Sequence, residues 1–360
     1  MLKNHYAIEE NLLWACCRKA CGSTKEDAFF QDSLDQLDYQ KLLFLAQEHR
    51  LLLIVNHYFI RVYKHTLNEE TVSQFHAASK KIIFGQLQLS AELCKIQQSL
   101  LDVGVKHLFL KGPLLGKQLF GDTLLRYSGD IDFLVPPSEI EKAHICMTQL
   151  GYTTDCSIKT MHRYAKRKTL GQKDTVYHHP GSPFRVELHW RTMDHVAYSQ
   201  PFPSPEGLST VNFQGRNFSV LSDELNALYL MIHAARHSWS RARWLLDVLV
   251  FMKTKNLTPE QLLAAAHSKG LSRFVSEAFF LAYHVFGLQA FEAYARLNGE
   301  WFLRKRVALS RFNEGSVPVR YVSKVAQKIL FYLSPNHRIK VCVYYLLLYP
   351  LDRFYNFIRQ

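Results

Sequence analysis

The chain of 360 residues has no long apolar run, no C-x-x-C pair, no internal repeat and no low-complexity tract. Each absence removes a class of protein. The longest apolar run, Val341 to Leu351, is well short of the ~18 consecutive residues a spanning helix needs, so no transmembrane segment is predicted. Cysteine is sparse, odd in number and scattered (Cys16, Cys17, Cys21, Cys94, Cys146, Cys156 and Cys342), which argues against a zinc ribbon or a thioredoxin-type pair. Reduced thiols in a cytoplasmic protein are the expectation. The opening residues lack an apolar core and carry Glu9 and Glu10, so no signal peptide is expected. Acid is scarce beside base: 31 Asp and Glu against 44 Lys and Arg leave +13, which points to an anionic partner. A nucleotide, a nucleic acid and a lipid headgroup all satisfy that charge. With 48% hydrophobic and 21% charged residues, a disordered or collagen-like chain is excluded.

Periodicity divides the chain. Leu42, Leu45, Ala46, His49, Leu52 and Leu53 recur at helical spacing, and the stretch from Glu70 to Val103 holds one Gly and no Pro, so residues 1–103 read as helical. Texture changes at Gly104. His107 to Lys111 predicts a short strand, Gly112-Pro113 opens a brief helix, and Gly121-Asp122 a turn. Asp130 to Val135 predicts a second strand, ended by Pro136-Pro137, with Ser138 capping a helix to about Leu150. Further strands are expected at 174–178 and 184–190 and in a hairpin around Gln214-Gly215. Ser222, followed by Asp223 and Glu224, marks the N-cap of a returning helix. The predicted fold is α+β: a helical region (1–103), a small mixed-sheet core (104–221), a helical domain closing a cleft (222–300) and a basic tail (301–360).

Asp130-x-Asp132 carries the chemistry. Strand alternation puts both carboxylates on one face, where they repel each other unless a cation lies between them. Mg²⁺ takes hard oxygen ligands of this kind together with substrate phosphates. Upstream, Lys111-Gly112 ends a strand where the missing side chain lets backbone N–H groups approach a phosphate. Downstream, Arg185, Glu187 and His189 share one strand face and Val186 and Leu188 the other, adding a third carboxylate. This combination is the one two-metal phosphoryl chemistry requires. Lys111 and Arg126 are candidate phosphate contacts.

Leu110-Lys-Gly-Pro-Leu-Leu, Leu125-Arg-Tyr-Ser-Gly-Asp-Ile-Asp-Phe-Leu-Val135 and Val186-Glu-Leu-His-Trp190 together resemble the uncharacterised nucleotidyltransferase family of the polymerase-beta-like superfamily. His233-Ala-Ala-Arg-His-Ser-Trp239, Arg243-Trp-Leu-Leu-Asp247 and Phe44-Leu-Ala-Gln-Glu-His49 extend the likeness over about residues 40–255. The resemblance implies a nucleotidyltransferase palm that moves a nucleoside monophosphate from an NTP, such as ATP, to an acceptor and releases pyrophosphate. It implies Mg²⁺ or Mn²⁺ held by Asp130, Asp132 and Glu187, with Glu187 also activating the attacking hydroxyl. Gly112 and Ser128 would contact the triphosphate, and His189, His233, His237, Arg243 and Asp247 would line the acceptor side. Two departures stand out: Pro113 follows Gly112 where Gly or Ser is common, removing a donor, and the third acid is Glu where Asp is frequent.

Other signals carry less. Gly112-Pro-Leu-Leu-Gly116-Lys117-Gln118 is one residue too short for a P-loop and lacks its Ser/Thr. His233 and His237 stand four apart as zinc ligands do, but without a third ligand or a metalloprotease Glu. Residues 304–360 hold eleven Lys or Arg against Glu314 and Asp352, interleaved with aromatics, a pattern suited to an anionic membrane surface or an RNA groove. Two alternatives therefore stand beside the transferase: a metal-dependent glycosyltransferase using the D-x-D pair, and a non-catalytic membrane- or RNA-binding module. A small molecule, a peptide and an RNA end all qualify as acceptor, and the sequence fixes neither the base nor the oligomeric state.

Overall fold

The computed structural model describes residues 8–24, 26–167, 172–194, 198–199 and 202–295. The basic tail at 304–360 lies outside them. Five helices lead in: Ile8–Ala20 (α1), Glu26–Ser33 (α2), Tyr39–Glu48 (α3), Leu52–Val55 (α4) and Arg61–Tyr63 (α5), the last two joined by a π-turn at Asn56–Ile60. A long helix, Glu69–Asp102 (α6), follows, and the Asn68 side chain caps its start by accepting from Thr71 N at 2.7 Å. Then come the strand Leu108–Phe109 (β1), the helix Gly112–Phe120 (α7) and the strand Asp130–Leu134 (β2). Helices Ile140–Gln149 (α8) and Ile158–Ala165 (α9) precede the strands Asp174–His179 (β3) and Ser182–His189 (β4). The hairpin Leu208–Phe213 (β5) and Arg216–Leu221 (β6) leads into Asp223–Arg236 (α10), Ala242–Thr254 (α11), Pro259–His267 (α12) and Ser272–His284 (α13).

The main sheet has the order β1-β2-β4-β3, with β2 parallel to β4 and the outer pairs antiparallel. Its two faces see different surroundings because successive side chains alternate. Ile131, Phe133, Val186 and Leu188 enter an interior shared with Leu89, Leu93, Ile96 and Leu100 of α6. Leu108, Leu110 and Leu134 point the other way, into the interior built by α1, α10, α11 and α13. Asp132, two residues before Leu134, therefore faces the helical region. The fold is the expected α+β, a small mixed sheet flanked by helices.

Several local expectations change. Ser138 does not cap a helix; it lies inside a 3₁₀ turn at Pro137–Glu139, and α8 begins without a side-chain cap. Ser222 occupies the N-cap position of α10 but its hydroxyl makes no capping bond, leaving that start to Asp223 and Glu224. The α9 helix was not predicted; its Ser157 cap accepts from Thr160 N at 3.4 Å. The β5–β6 turn does fall on Gln214-Gly215, both with positive φ, as a tight two-residue hairpin requires. No helix among the described residues is long and apolar enough to cross a membrane.

Candidate active site

Register assembles the acidic face. In the β2–β4 pair Asp130 stands opposite Arg185, Asp132 opposite Glu187 and Leu134 opposite His189. In the β3–β4 pair Asp174 stands opposite His189. Asp132, Glu187 and His189 each offer a ligand atom, and the three atoms lie within 4.8 Å of one another. His189 Nε2 is the hub, 3.2 Å from Asp132 Oδ1, 3.4 Å from Glu187 Oε2 and 3.7 Å from Asp174 Oδ2. Asp132 and His189 are buried, whereas Asp130, Asp174 and Glu187 keep partial access to solvent.

Two lysines balance the carboxylates. Lys111 Nζ lies 3.1 Å from Asp132 Oδ2 and 5.8 Å from the centre of the Tyr229 ring. Lys173 pairs with Asp174 and stands 3.9 Å from Glu187 Oε2. Burial works against charge on Asp132, but Lys111 and the His189 hydrogen bond outweigh it and hold the carboxyl well below its usual range. On His189, burial and Lys173 lower the pKa, yet Asp132, Asp174 and Glu187 raise it above the ordinary value. Lys111 is raised as well, its burial overcome by Asp132 first.

Asp132 Oδ2 faces Lys111 but receives no hydrogen bond, and His189 Nδ1 is buried without a partner. Two carboxylates and an imidazole whose ligand atoms lie within 4.8 Å of one another are a donor set that fits a divalent cation, which would compete with Lys111 for Asp132 Oδ2.

Gly112 forms the turn between β1 and α7. Its φ of 61° is one that side chains rarely tolerate, and a Cβ there would lie 3.7 Å from Asp130 O. The start of α7 thus abuts the start of the acidic strand. Pro113 occupies the first turn of α7, where it costs no intrahelical bond.

Arg126 and Ser128 are turned inward. Arg126 grips Asp247 through Nε and Nη2 (3.1 and 3.0 Å), while Nη1 donates to Gly112 O at 3.0 Å and Ser128 Oγ at 2.8 Å. Ser128 is clasped by Gln86 of α6, its N–H donating to Oε1 at 2.9 Å and its carbonyl accepting from Nε2 at 2.7 Å. Arg243 Nη1 donates to Tyr127 O. Arg126, Asp247 and Arg243 therefore gather beside Gly112, at the opposite end of the acidic face from Asp174.

The helices beside the acidic face carry aromatic rings. His233 on α10 and His237 at its C-terminal cap have ring centres 4.7 Å apart, and His237 stacks on Trp244 at 5.0 Å. Burial, reinforced by nearby Lys111 and Arg236, keeps both imidazoles well below their ordinary pKa and so neutral. Sequence reasoning missed Lys173, Asp174, Tyr229 and Gln86. Of these, Asp174 had a visible signal: it begins the strand expected at 174–178, but only the antiparallel register puts it opposite His189.

No curated protein matches the chain at a significant level. The family model described as "Uncharacterised nucleotidyltransferase" matches residues 35–287, a span that takes in every residue of the acidic face and helices α10 and α11. The chain belongs to that uncharacterised nucleotidyltransferase family.

Proposed function

We propose that this enzyme transfers a nucleoside monophosphate from an NTP to an acceptor, with release of pyrophosphate and dependence on Mg²⁺ or Mn²⁺. The observation that carries this reading is the β2–β4 register, which lays Asp132 beside Glu187 on one face of the sheet, with the Gly112 turn against the backbone of Asp130. Asp130, Asp132, Glu187 and His189 would hold the divalent cation. When bound, such cations neutralise phosphate charge and lower the pKa of a coordinated hydroxyl.

The chain's own groups divide the remaining work. Glu187, which keeps partial access to solvent, would take the proton of the attacking hydroxyl. Lys111 supplies a fixed positive charge next to the reacting phosphate, and the Gly112 turn offers backbone N–H groups to the departing pyrophosphate. The acceptor would enter from the β4–β3 side, past Lys173, His233 and His237. An NTP donor fits a cytoplasmic setting.

The test is release of pyrophosphate from labelled NTPs with candidate acceptors, in Mg²⁺ and in Mn²⁺. Asp132→Asn should lower the rate by roughly a hundredfold to a thousandfold. Equal turnover by that variant refutes the assignment.

A further inference from the structure

Three arginines converge at the Gly112 end of the acidic face without a carboxylate of their own. Arg50 follows α3, Arg241 precedes α11 and Arg243 lies in its first turn. Arg50 Cζ lies 4.7 Å from the centre of the Tyr127 ring, and Arg243 donates to the carbonyl of the same residue. Arg241 Cζ lies 5.6 Å from the Trp244 ring. Among the described residues none of the three forms an ion pair with an acid, because Asp247 is taken by Arg126. Arg243 is 8% exposed, and its Nε is buried with no hydrogen-bond partner.

Like charges gathered in a half-buried place repel one another, and such an arrangement costs free energy unless an anion joins it. The backbone is built to hold it nonetheless. Arg50 has a φ of 55°, an uncommon conformation for a residue with a side chain. Ser238 and Trp239, with φ of 56° and 53°, turn the chain from α10 toward Arg241, and Trp239 Nε1 is anchored on Glu277 at 3.1 Å. Ala242 N donates to His49 Nδ1 at 3.2 Å, which locks the residue before Arg50 onto the residue between Arg241 and Arg243. A recess of about 160 Å³ opens beside Arg50 and Tyr127, floored by Leu52, Leu53 and Ile82.

We infer that Arg50, Arg241 and Arg243 form a phosphate-binding cradle that takes the terminal phosphate of the nucleotide, with Arg50 contributed by the N-terminal helical region. This rests on the nucleotidyltransfer reading above. The order of groups along the site selects that phosphate. A chain of phosphates that begins at Asp132 and passes the Gly112 turn reaches the arginines last, since Arg50 and Arg243 both contact Tyr127, three residues before Asp130, and Arg241 acts on Arg50 from beyond it. Glu187 and Asp174 lie in the other direction. Burial lowers the pKa of Arg50 and of Arg243 most; Arg241 depresses Arg50 further and Arg126 and Arg50 depress Arg243, an effect that Asp130 beside both and Asp247 beside Arg243 offset only in part. Guanidinium groups suit the forked oxygens of a phosphate, and such a cradle separates triphosphates from diphosphates and from sugar nucleotides.

Calorimetric titration tests the cradle. The ligands are inorganic tripolyphosphate, a simple phosphate monoester, and the α,β-methylene triphosphates, the diphosphates and the monophosphates of the four ribonucleosides, all with Mg²⁺. The variants are Arg50→Asn, which keeps a residue tolerant of positive φ, and Arg241→Gln, with thermal melts to confirm folding. Each should weaken triphosphate and tripolyphosphate binding by about tenfold to a hundredfold and leave nucleoside monophosphates unchanged. Tripolyphosphate binding that depends on the arginines, without any nucleotide binding, upholds the cradle and removes the nucleotide reading. Arginine-dependent binding of the phosphate monoester alone overturns the assignment of the arginines to the nucleotide's terminal phosphate. Triphosphate affinity unchanged in both folded variants overturns the cradle and spares the nucleotidyltransferase. A wild-type chain that binds none of these ligands overturns both.

Discussion

Asp247 is 2% exposed and spends both carboxylate oxygens on Arg126. Removing one member of such a pair leaves the other charge buried, which costs about 3–5 kcal/mol, whereas removing both costs less. Asp247→Ala should therefore lose about that much unfolding free energy in urea titrations, and Arg126→Met with Asp247→Leu should recover part of it. His233 and His237 behave oppositely to His189. Their folded pKa values are depressed, so the unfolded chain binds more protons as pH falls. The stability they carry is present above the unfolded value of about 6.5 and is lost as pH drops through it, at up to about 1.4 kcal/mol per pH unit for each ring. Denaturation between pH 5 and pH 7.5 should show this decline, and His233→Asn with His237→Asn should flatten it.

At the scale of elements, α6 does more than pack. Gln86, 1% exposed, makes both hydrogen bonds to the backbone of Ser128 and so fixes the entry to β2. Gln86→Leu keeps the volume but strands a buried N–H and a buried carbonyl, at about 1–3 kcal/mol each. A drop in melting temperature, with a larger loss of transferase activity than of nucleotide affinity, is expected. The sequence made β2, β4 and the Gly112 turn legible because alternation and turn chemistry are local: Asp130, Asp132, Glu187 and Gly112 could be read within a few residues of each other or by shared strand texture. The arginine cluster could not, since Arg50 and Arg243 are separated by nearly two hundred positions. Arg126 misleads for a related reason: an exposed cation and one buried against Asp247 have the same local sequence. Ser138 shows the same limit at a helix start, where two prolines tighten the turn before a cap forms.

Across the whole molecule, the two interiors share elements. Phe75 of α6 enters the helical interior, while Leu89, Leu93, Ile96 and Leu100 of the same helix cover the sheet. Burial of those four side chains stabilises by about 6–12 kcal/mol at about 1.5–3 kcal/mol each, comparable to the ~5–15 kcal/mol that hold a whole domain. A fragment of residues 104–295 should accordingly be insoluble or lack a cooperative melt, and co-expression with residues 8–103 should restore soluble protein. The bond between Ala242 N and His49 Nδ1 adds a constraint on motion. If products leave by widening the gap between sheet and helices, α10 and α11 cannot swing out on their own. They would either take the end of α3 with them or break that bond, at a cost of about 0.5–1.5 kcal/mol.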